Sequence, residues 1–261
     1  MPGDAQRYER LVENGLSRTH VQAMAWVPPG SRVLELGCAT GYIGAILVRE
    51  KGCRVLGVEI DALAAAQARE RGLEVVVGSL EDARLRASIA GPFDVVMAMD
   101  VLEHVRDPAA VLSCAARWVA PDGRVVVAVP NIAVWSMRLG LLRGRFEYAD
   151  SGLCDRTHLR FFTHDSLRAL VREQGWLVEA ELVDAWEVPG LQRLMYEGGL
   201  GLRRRFPEDP SRPWQTRVFH GAGRMVKLHQ RLGQALGRRW PGLCATHFAL
   251  LLRPPGTARR A

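Results

Sequence analysis

From Arg32 onward, short apolar runs alternate with stretches of helical character. RVLELG (32–37), CRVLGVEI (53–60), LEVVVG (73–78), FDVVMAM (93–99) and GRVVVAV (123–129) are nearly unbroken and rich in β-branched residues. A strand with one wet face alternates apolar and polar residues. Unbroken apolar runs instead predict strands buried on both faces, as in a parallel sheet covered on each side by crossover helices. Between the runs lie the helix-like stretches YIGAILVREKG, DALAAAQARERG, the short EDARLRASIA, and DPAAVLSCAARWVAPDG. Glycines near their ends, and a proline at the first turn in Asp107-Pro108, fit helix starts and stops. The repeated β-α units predict a doubly wound α/β sheet.

After the fifth run the regularity breaks, and residues 130–163 form a mixed stretch. Thr163 is placed to cap a helix over 164–175, and residues 176–186 and 244–254 read as two later strands. Between those strands, residues 188–242 are rich in Gly, Arg and Pro, with an amphipathic helix predicted around 216–237. A helix over 4–26 leads to the turn Pro28-Pro29-Gly30. The expected organisation is a helical cap (1–30), a core (31–187) containing a lid (131–163), a basic insertion (188–242), a final core strand (243–255) and a tail (256–261). There is no internal repeat.

Composition changes this picture little. The 261 residues are 48% hydrophobic and 24% charged, which suits a globular chain with a sizeable core. The start, MPGDAQRYERLVENG, lacks the apolar run of a signal peptide, and no stretch reaches the roughly 20 apolar residues of a membrane span. A cytoplasmic location is therefore expected. Cys38, Cys53, Cys114, Cys154 and Cys244 are odd in number and scattered, without a CxxC pair, so they indicate neither a disulfide framework nor a zinc site.

Charge is more informative. The net charge is +7, and 14 of the 35 basic residues fall within 190–261 against three acids, Glu197, Glu208 and Asp209. A basic C-terminal part suits an acidic partner. Only Lys51 and Lys227 are lysine, a skew that a GC-rich genome produces without functional demand.

Candidate chemistry gathers where runs end. In VLELGCATGYIG (33–44), Gly37 and Gly41 permit a tight turn and close approach of a ligand. The helix that follows offers unpaired N–H groups to an anion. Glu35 is placed to meet a cationic part of the ligand. A dinucleotide fingerprint needs GxGxxG, but here the last glycine, Gly41, falls one residue early, with the small Ala39 in the middle. Glu59 closes the second run, where a carboxylate can accept from both hydroxyls of a ribose, and Ile60 follows it. Taken singly, the loop is a structural turn and the acid a solvated strand end. Together they describe a nucleoside site, with Ser79-Leu80-Glu81 after the third run and Asp100 to His104 after the fourth.

These three motifs resemble the class I S-adenosylmethionine-dependent methyltransferases, over about residues 31–187. The chain resembles in particular the bacterial members carrying MxVLEHxxDP, here Met99-Asp100-Val101-Leu102-Glu103-His104-Val105-Arg106-Asp107-Pro108. The resemblance implies a Rossmann-like seven-stranded α/β fold, of order 3-2-1-4-5-7-6 with strand 7 antiparallel, bearing lid and C-terminal insertions. It implies S-adenosylmethionine as cofactor, S-adenosylhomocysteine as product, and no metal. Glu35, Gly37, Cys38, Ala39, Gly41 and Tyr42 would then hold the methionine end, with Asp100, Val101 and Leu102 beside it. Glu59 would take the ribose, Ile60 the adenine face, and Ser79, Leu80 and Glu81 the adenine edge. Two positions depart from the pattern. Ala39 replaces the middle glycine, and Ser79 stands where an acid commonly meets the adenine amino group, a role left to Glu81 or Asp82. The segment GRFEYADSGLCDRTHLRFFTHDSLRALVREQGW (144–176) resembles a subgroup linked to bacterial glycan or secondary-metabolite biosynthesis.

Methyl transfer to a hydroxyl benefits from a base titrating near neutrality. His104 and His158 are the candidates, with Asp155 placed to orient His158. Trp135, Phe146, Tyr148, Phe161 and Phe162 offer aromatic surface, and Arg143, Arg145, Arg156 and Arg160 can meet an anion. The expected acceptor is a small molecule: a sugar, glycan or natural-product hydroxyl, anionic or carrier-linked if the basic insertion closes over it. A nucleic-acid methyltransferase is the alternative that the pI of 9.6 raises. The core, however, has neither an Asn/Asp-Pro-Pro-Tyr/Phe/Trp motif nor a Pro-Cys nucleophile. A non-catalytic binding protein is the third reading, and it would never consume S-adenosylmethionine. Val218, Met225, Leu228, Leu232 and Leu236 form a helical stripe that packs on the core or on a second subunit, leaving a homodimer open.

Overall fold

The computed structural model describes residues 17–185 and 231–256. The five runs fold as β1 (Arg32–Leu36), β2 (Arg54–Glu59), β3 (Glu74–Val77), β4 (Phe93–Met99) and β5 (Val119–Pro130). With β6 (Leu177–Asp184) and β7 (His247–Arg253) they make one sheet of order β3-β2-β1-β4-β5-β7-β6. The first five strands pair in parallel and β7 is antiparallel, which is the expected topology. Leu36 lies level with Val58 on one side and Ala98 on the other. The carboxyl ends of β1, β2 and β4 therefore finish together, and their loops meet.

Helix α1 (Arg18–Ala25) precedes the sheet, and α2 (Tyr42–Lys51), α3 (Ala62–Glu70), α4 (Ala83–Ser88) and α5 (Pro108–Trp118) follow β1 to β4. Asp61, Asp82 and Asp107 each cap the next helix by accepting from its first N–H groups, and Pro108 sits in the first turn of α5. Such caps contribute about 1 kcal/mol each. After β5 come α6 (Trp135–Leu142) and α7 (His164–Glu173), the latter with Thr163 in a capping box with Ser166. Val95, Val96, Met97 and Ala98 of β4 are all buried, though successive residues face opposite sides. That is the double-faced burial that the unbroken runs predict.

Three expectations need correction. β3 is an edge strand, with Val75 and Val76 half-buried and Val77 exposed, because only β2 pairs with it. The helix expected to run to Gly123 ends at Trp118. Pro121 has no N–H for a helix, and Val119 pairs with Phe93, so β5 begins there. The stretch after β5 holds α6, which buries none of its own residues and so shows no apolar stripe in sequence.

The first half of the N-terminal cap, the tail from Thr257, and residues 186–230 of the insertion, Arg203, Arg204 and Arg205 among them, lie outside the described residues. Residues 231–239 are helical, as are Pro241–Cys244. No helix among the described residues is long and apolar enough to cross a membrane.

The chain divides into two compact units. The larger comprises Met1–Pro130, Tyr148–Leu182 and Phe248–Ala261, and it contains the core of β1, β2 and β4. The smaller comprises Asn131–Glu147 and Val183–His247. In it Asn131 is fully buried: its Nδ2 donates to the Ala245 carbonyl at 2.7 Å and its Oδ1 accepts from Ala133 N–H at 3.0 Å. Asn131 thus has a structural role within this unit.

Candidate active site

The loops after β1, β2, β3 and β4 enclose a cavity of about 310 Å³ in the larger unit, within the usual range for a small ligand. Gly37 lies on its wall at φ +62°, and a Cβ there would come within 2.7 Å of the Val101 side chain. Glycine alone lets the β1 and β4 loops approach so closely. Among the described residues, two non-glycines take left-handed φ: Ala39 at 48° and Asp100 at 54°. Both belong to these loops. Such strain persists where surrounding structure over-determines it, and it clusters at functional sites.

Glu59 is held by two main-chain donors. Its Oε2 accepts from Ala39 N–H at 2.8 Å, and its Oε1 from Asp61 N–H at 2.9 Å. The carboxylate is thereby fixed beside the glycine loop, and each oxygen keeps capacity for another donor. Ile60 presents an exposed apolar flank on the cavity wall. Ser79, Leu80 and Glu81 also line it. Glu81 Oε1 accepts from Arg106 N–H at 2.6 Å, which ties the β3 loop to the β4 loop, while Asp82 caps α4.

His104 lies in the short 3-10 turn Leu102–His104 after β4, and with Thr157 it lines the same cavity. Its Nδ1 is 3.3 Å from the Thr157 carbonyl and 3.2 Å from the Thr157 hydroxyl. A carbonyl only accepts, so Nδ1 carries the hydrogen and Nε2 is the basic nitrogen. The Thr157 hydroxyl and main-chain N–H both donate to Asp155 Oδ1, at 2.8 Å and 2.9 Å, and Asp155 is buried. His158 stands edge-on beside His104, with ring centroids 4.8 Å apart, and its Nδ1 donates to the Leu153 carbonyl at 3.2 Å. In α1, His20 Nε2 lies 3.8 Å from Asp100 Oδ2 and 3.4 Å from the Tyr42 hydroxyl.

The family profile described as a methyltransferase domain matches residues 7–181. The chain belongs to the class I S-adenosylmethionine-dependent methyltransferases. It is 34% identical, over 172 residues, to a ubiquinone biosynthesis O-methyltransferase of Caulobacter sp. (strain K31), and that match covers 64% of each protein. A protein of the same description from Xylella fastidiosa (strain 9a5c) is 32% identical over 58% of this chain and 62% of its own length. The chain thus spans less than two thirds of these relatives. Two solved structures share the fold. One is a chain of a complex that contains the Haloferax volcanii Trm112 methyltransferase activator, with TM-score 0.60, 20% identity, and 96% and 94% coverage. The other is magnesium protoporphyrin IX methyltransferase from Synechocystis PCC 6803 with bound S-adenosylhomocysteine, with TM-score 0.53, 17% identity, and 68% and 86% coverage.

In this methyltransferase the cavity wall unites Gly37, Glu59, Ile60, Ser79, Leu80, Glu81, Asp100, Val101 and His104 from four separate loops. Cys38, Ala39, Gly41, Tyr42 and Leu102 are not part of it. Cys38 packs against Gly57, Gly41 against Ala68, and Leu102 is wholly buried. One carboxylate oxygen of Asp155, the residue expected to orient His158, binds Thr157. Thr157 drew no attention in sequence because a threonine hydroxyl is not a usual base, and Glu103 was named there only as a member of the Met99–Pro108 motif. His20 stands alone on its helix in sequence, far from any motif.

Glu35 also departs from expectation. It is 3% exposed, forms no part of the cavity wall, and takes a main-chain hydrogen bond from Gly44, where a Cβ would come 2.7 Å from its Oε2. Burial first, and the Glu59 charge after it, push its carboxyl up to about 8. The folded state therefore keeps a proton that the unfolded chain releases above its ordinary value of 4.5. This contribution to stability is fully present below 4.5 and is lost as pH rises through about 8. Glu35→Gln should remove the loss. Urea unfolding at increasing pH within that window should show the variant gaining on the wild type by on the order of 1 kcal/mol per pH unit. Parallel profiles would mean that Glu35 is not titrating in the folded protein.

Proposed function

We propose that this methyltransferase acts on the hydroxyl of a small phenolic acceptor, with His104 as general base. The observation that carries the reading is that His104, its basic Nε2 set by the Thr157 hydrogen bond, shares one cavity with Gly37, Glu59 and Asp100. S-adenosylmethionine supplies a methyl group already activated on a sulfonium. The residues then have three tasks: to hold both partners in line, to exclude water, and to take one proton.

Glu59 is assigned to the ribose diol, Ile60 to the adenine face, and Ser79, Leu80 and Glu81 to the adenine edge. Gly37, Asp100 and Val101 border the methionine end. Ala39 and Gly41 act from behind, the first by fixing Glu59 and the second by opening α2 with unpaired N–H groups for a carboxylate. Asp155 holds Thr157, and Thr157 holds the imidazole.

The phenolic acceptor rests on proton matching. An imidazole near pKa 6.5 falls about 3.5 units short of a phenol near 10, but roughly 9 short of a hydroxyl as weakly acidic as water. Proton transfer in the transition state favours the closer pair. The relatives' name, an O-methyltransferase of ubiquinone biosynthesis, agrees in reaction type. The carbohydrate hydroxyl suggested by residues 144–176 is the second reading. Formation of S-adenosylhomocysteine, followed by mass spectrometry with a catechol and a monosaccharide in parallel, separates the two. Turnover should be at least about tenfold faster with the catechol. A preference for the sugar would overturn the phenolic reading, and no turnover with any hydroxyl acceptor would overturn O-methylation.

A further inference from the structure

Glu103 is the residue of the motif that the proposed reaction leaves unused. It is 1% exposed, and neither carboxyl oxygen has a hydrogen-bond partner. Its main chain is clamped, because its carbonyl accepts from Leu159 N–H at 2.8 Å and Arg160 N–H at 2.9 Å. A carboxyl oxygen of Glu103 and one ring nitrogen each of His104 and His158 all lie within 4.8 Å of one another. A buried carboxyl without partners is destabilising, and native proteins keep one chiefly where it has work to do. Leu102, the residue before it, is an ordinary core side chain, so the turn does not require a charge at its buried face.

We infer that Glu103 is a positioning residue for the histidine pair, bridging His104 and His158 as the counter-ion of the proton released by methyl transfer. The inference rests on the reading of His104 as base. In the transfer, the acceptor oxygen forms the new bond to carbon, the electrons of the broken sulfur–carbon bond stay on sulfur, and the hydroxyl proton passes to His104. The new imidazolium favours ionisation of Glu103, whose own proton moves to the adjacent His158. One proton has entered the cluster, and a carboxylate now stands between two imidazoliums.

The surroundings agree with a neutral resting state. Burial first, and the charge of Asp100 after it, hold the Glu103 carboxyl well above the ordinary carboxylate range. The other charged groups nearby are occupied. Asp155 binds Thr157, Asp107 caps α5, and the Arg160 guanidinium donates to the Arg106 carbonyl at 2.6 Å. The Glu103 carboxyl is buried, and the two histidines beside it are half-buried. An attraction across so few ångströms of buried protein is little screened by salt.

The test is Glu103→Gln, with Glu103→Asp as the conservative control. Glutamine cannot become anionic, so the imidazolium loses its counter-ion and His104 becomes a weaker base. The acid limb of the kcat profile should move about one unit to lower pH, and the plateau should fall about tenfold. KM and S-adenosylhomocysteine affinity should stay put, and the aspartate variant should recover part of both changes. Ring-proton NMR titration of His104 in the S-adenosylhomocysteine complex reads the same shift without any acceptor. It therefore distinguishes failure of this inference from failure of the phenolic reading. An unchanged His104 titration in Glu103→Gln overturns the inference. So does a divalent metal that copurifies with the wild type and whose chelation abolishes turnover, since the three side chains would then be its ligands.

Discussion

His104→Ala is expected to lower kcat by about 10²–10⁴, the range over which a positioned general base acts. His104 is the basic side chain that both lines the cavity and has its tautomer set by a neighbour. Because it also forms part of the wall, S-adenosylhomocysteine binding should weaken as well, but by far less than the rate. Calorimetry and single-turnover kinetics on one preparation separate the two losses. His158→Ala should cost less, since that ring stands beside His104 and not on the cavity wall. A fall of less than about threefold in His104→Ala would return that residue to a purely structural role and leave proximity as the main source of catalysis.

Glu59→Ala should weaken S-adenosylmethionine and S-adenosylhomocysteine binding by more than tenfold. A hydrogen bond to a charged group contributes about 1.5–3 kcal/mol, or roughly one to two powers of ten in affinity. Part of the loss will be indirect, because the same carboxylate holds the Ala39 and Asp61 main chain. Glu59→Gln keeps an oxygen for one of those donors and removes the charge, so it should retain loop structure better than affinity. Thermal melting with and without ligand distinguishes the two effects. A variant with normal ligand affinity would take Glu59 out of the site.

The parallel strands are legible in the sequence because double-faced burial leaves unbroken apolar runs, and β4 shows this residue by residue. The turns that follow β1 and β2 were legible for a local reason. Gly37, Gly41 and Glu59 answer to constraints within a few residues of strand ends, namely tight turns, left-handed φ and carboxylate placement. What depends on distant neighbours was not legible. β3 shows the same β-branched run as the inner strands, and only its place at the sheet edge leaves Val77 exposed. Nothing local hides Glu35 beneath the first turn of α2. That took the missing Cβ of Gly44, nine residues further along the chain. The histidines were candidates from their chemistry alone, but their ranking belongs to the tertiary structure. More than fifty residues separate His104 from Thr157, and folding brings them within 3.3 Å. The sequence by itself determined the strands, most of the helices between them and the glycine turn after β1, because each is written in nearest-neighbour chemistry. The tertiary structure decided which imidazole borders the cavity, what orients it, and that a buried carboxyl lies beside it.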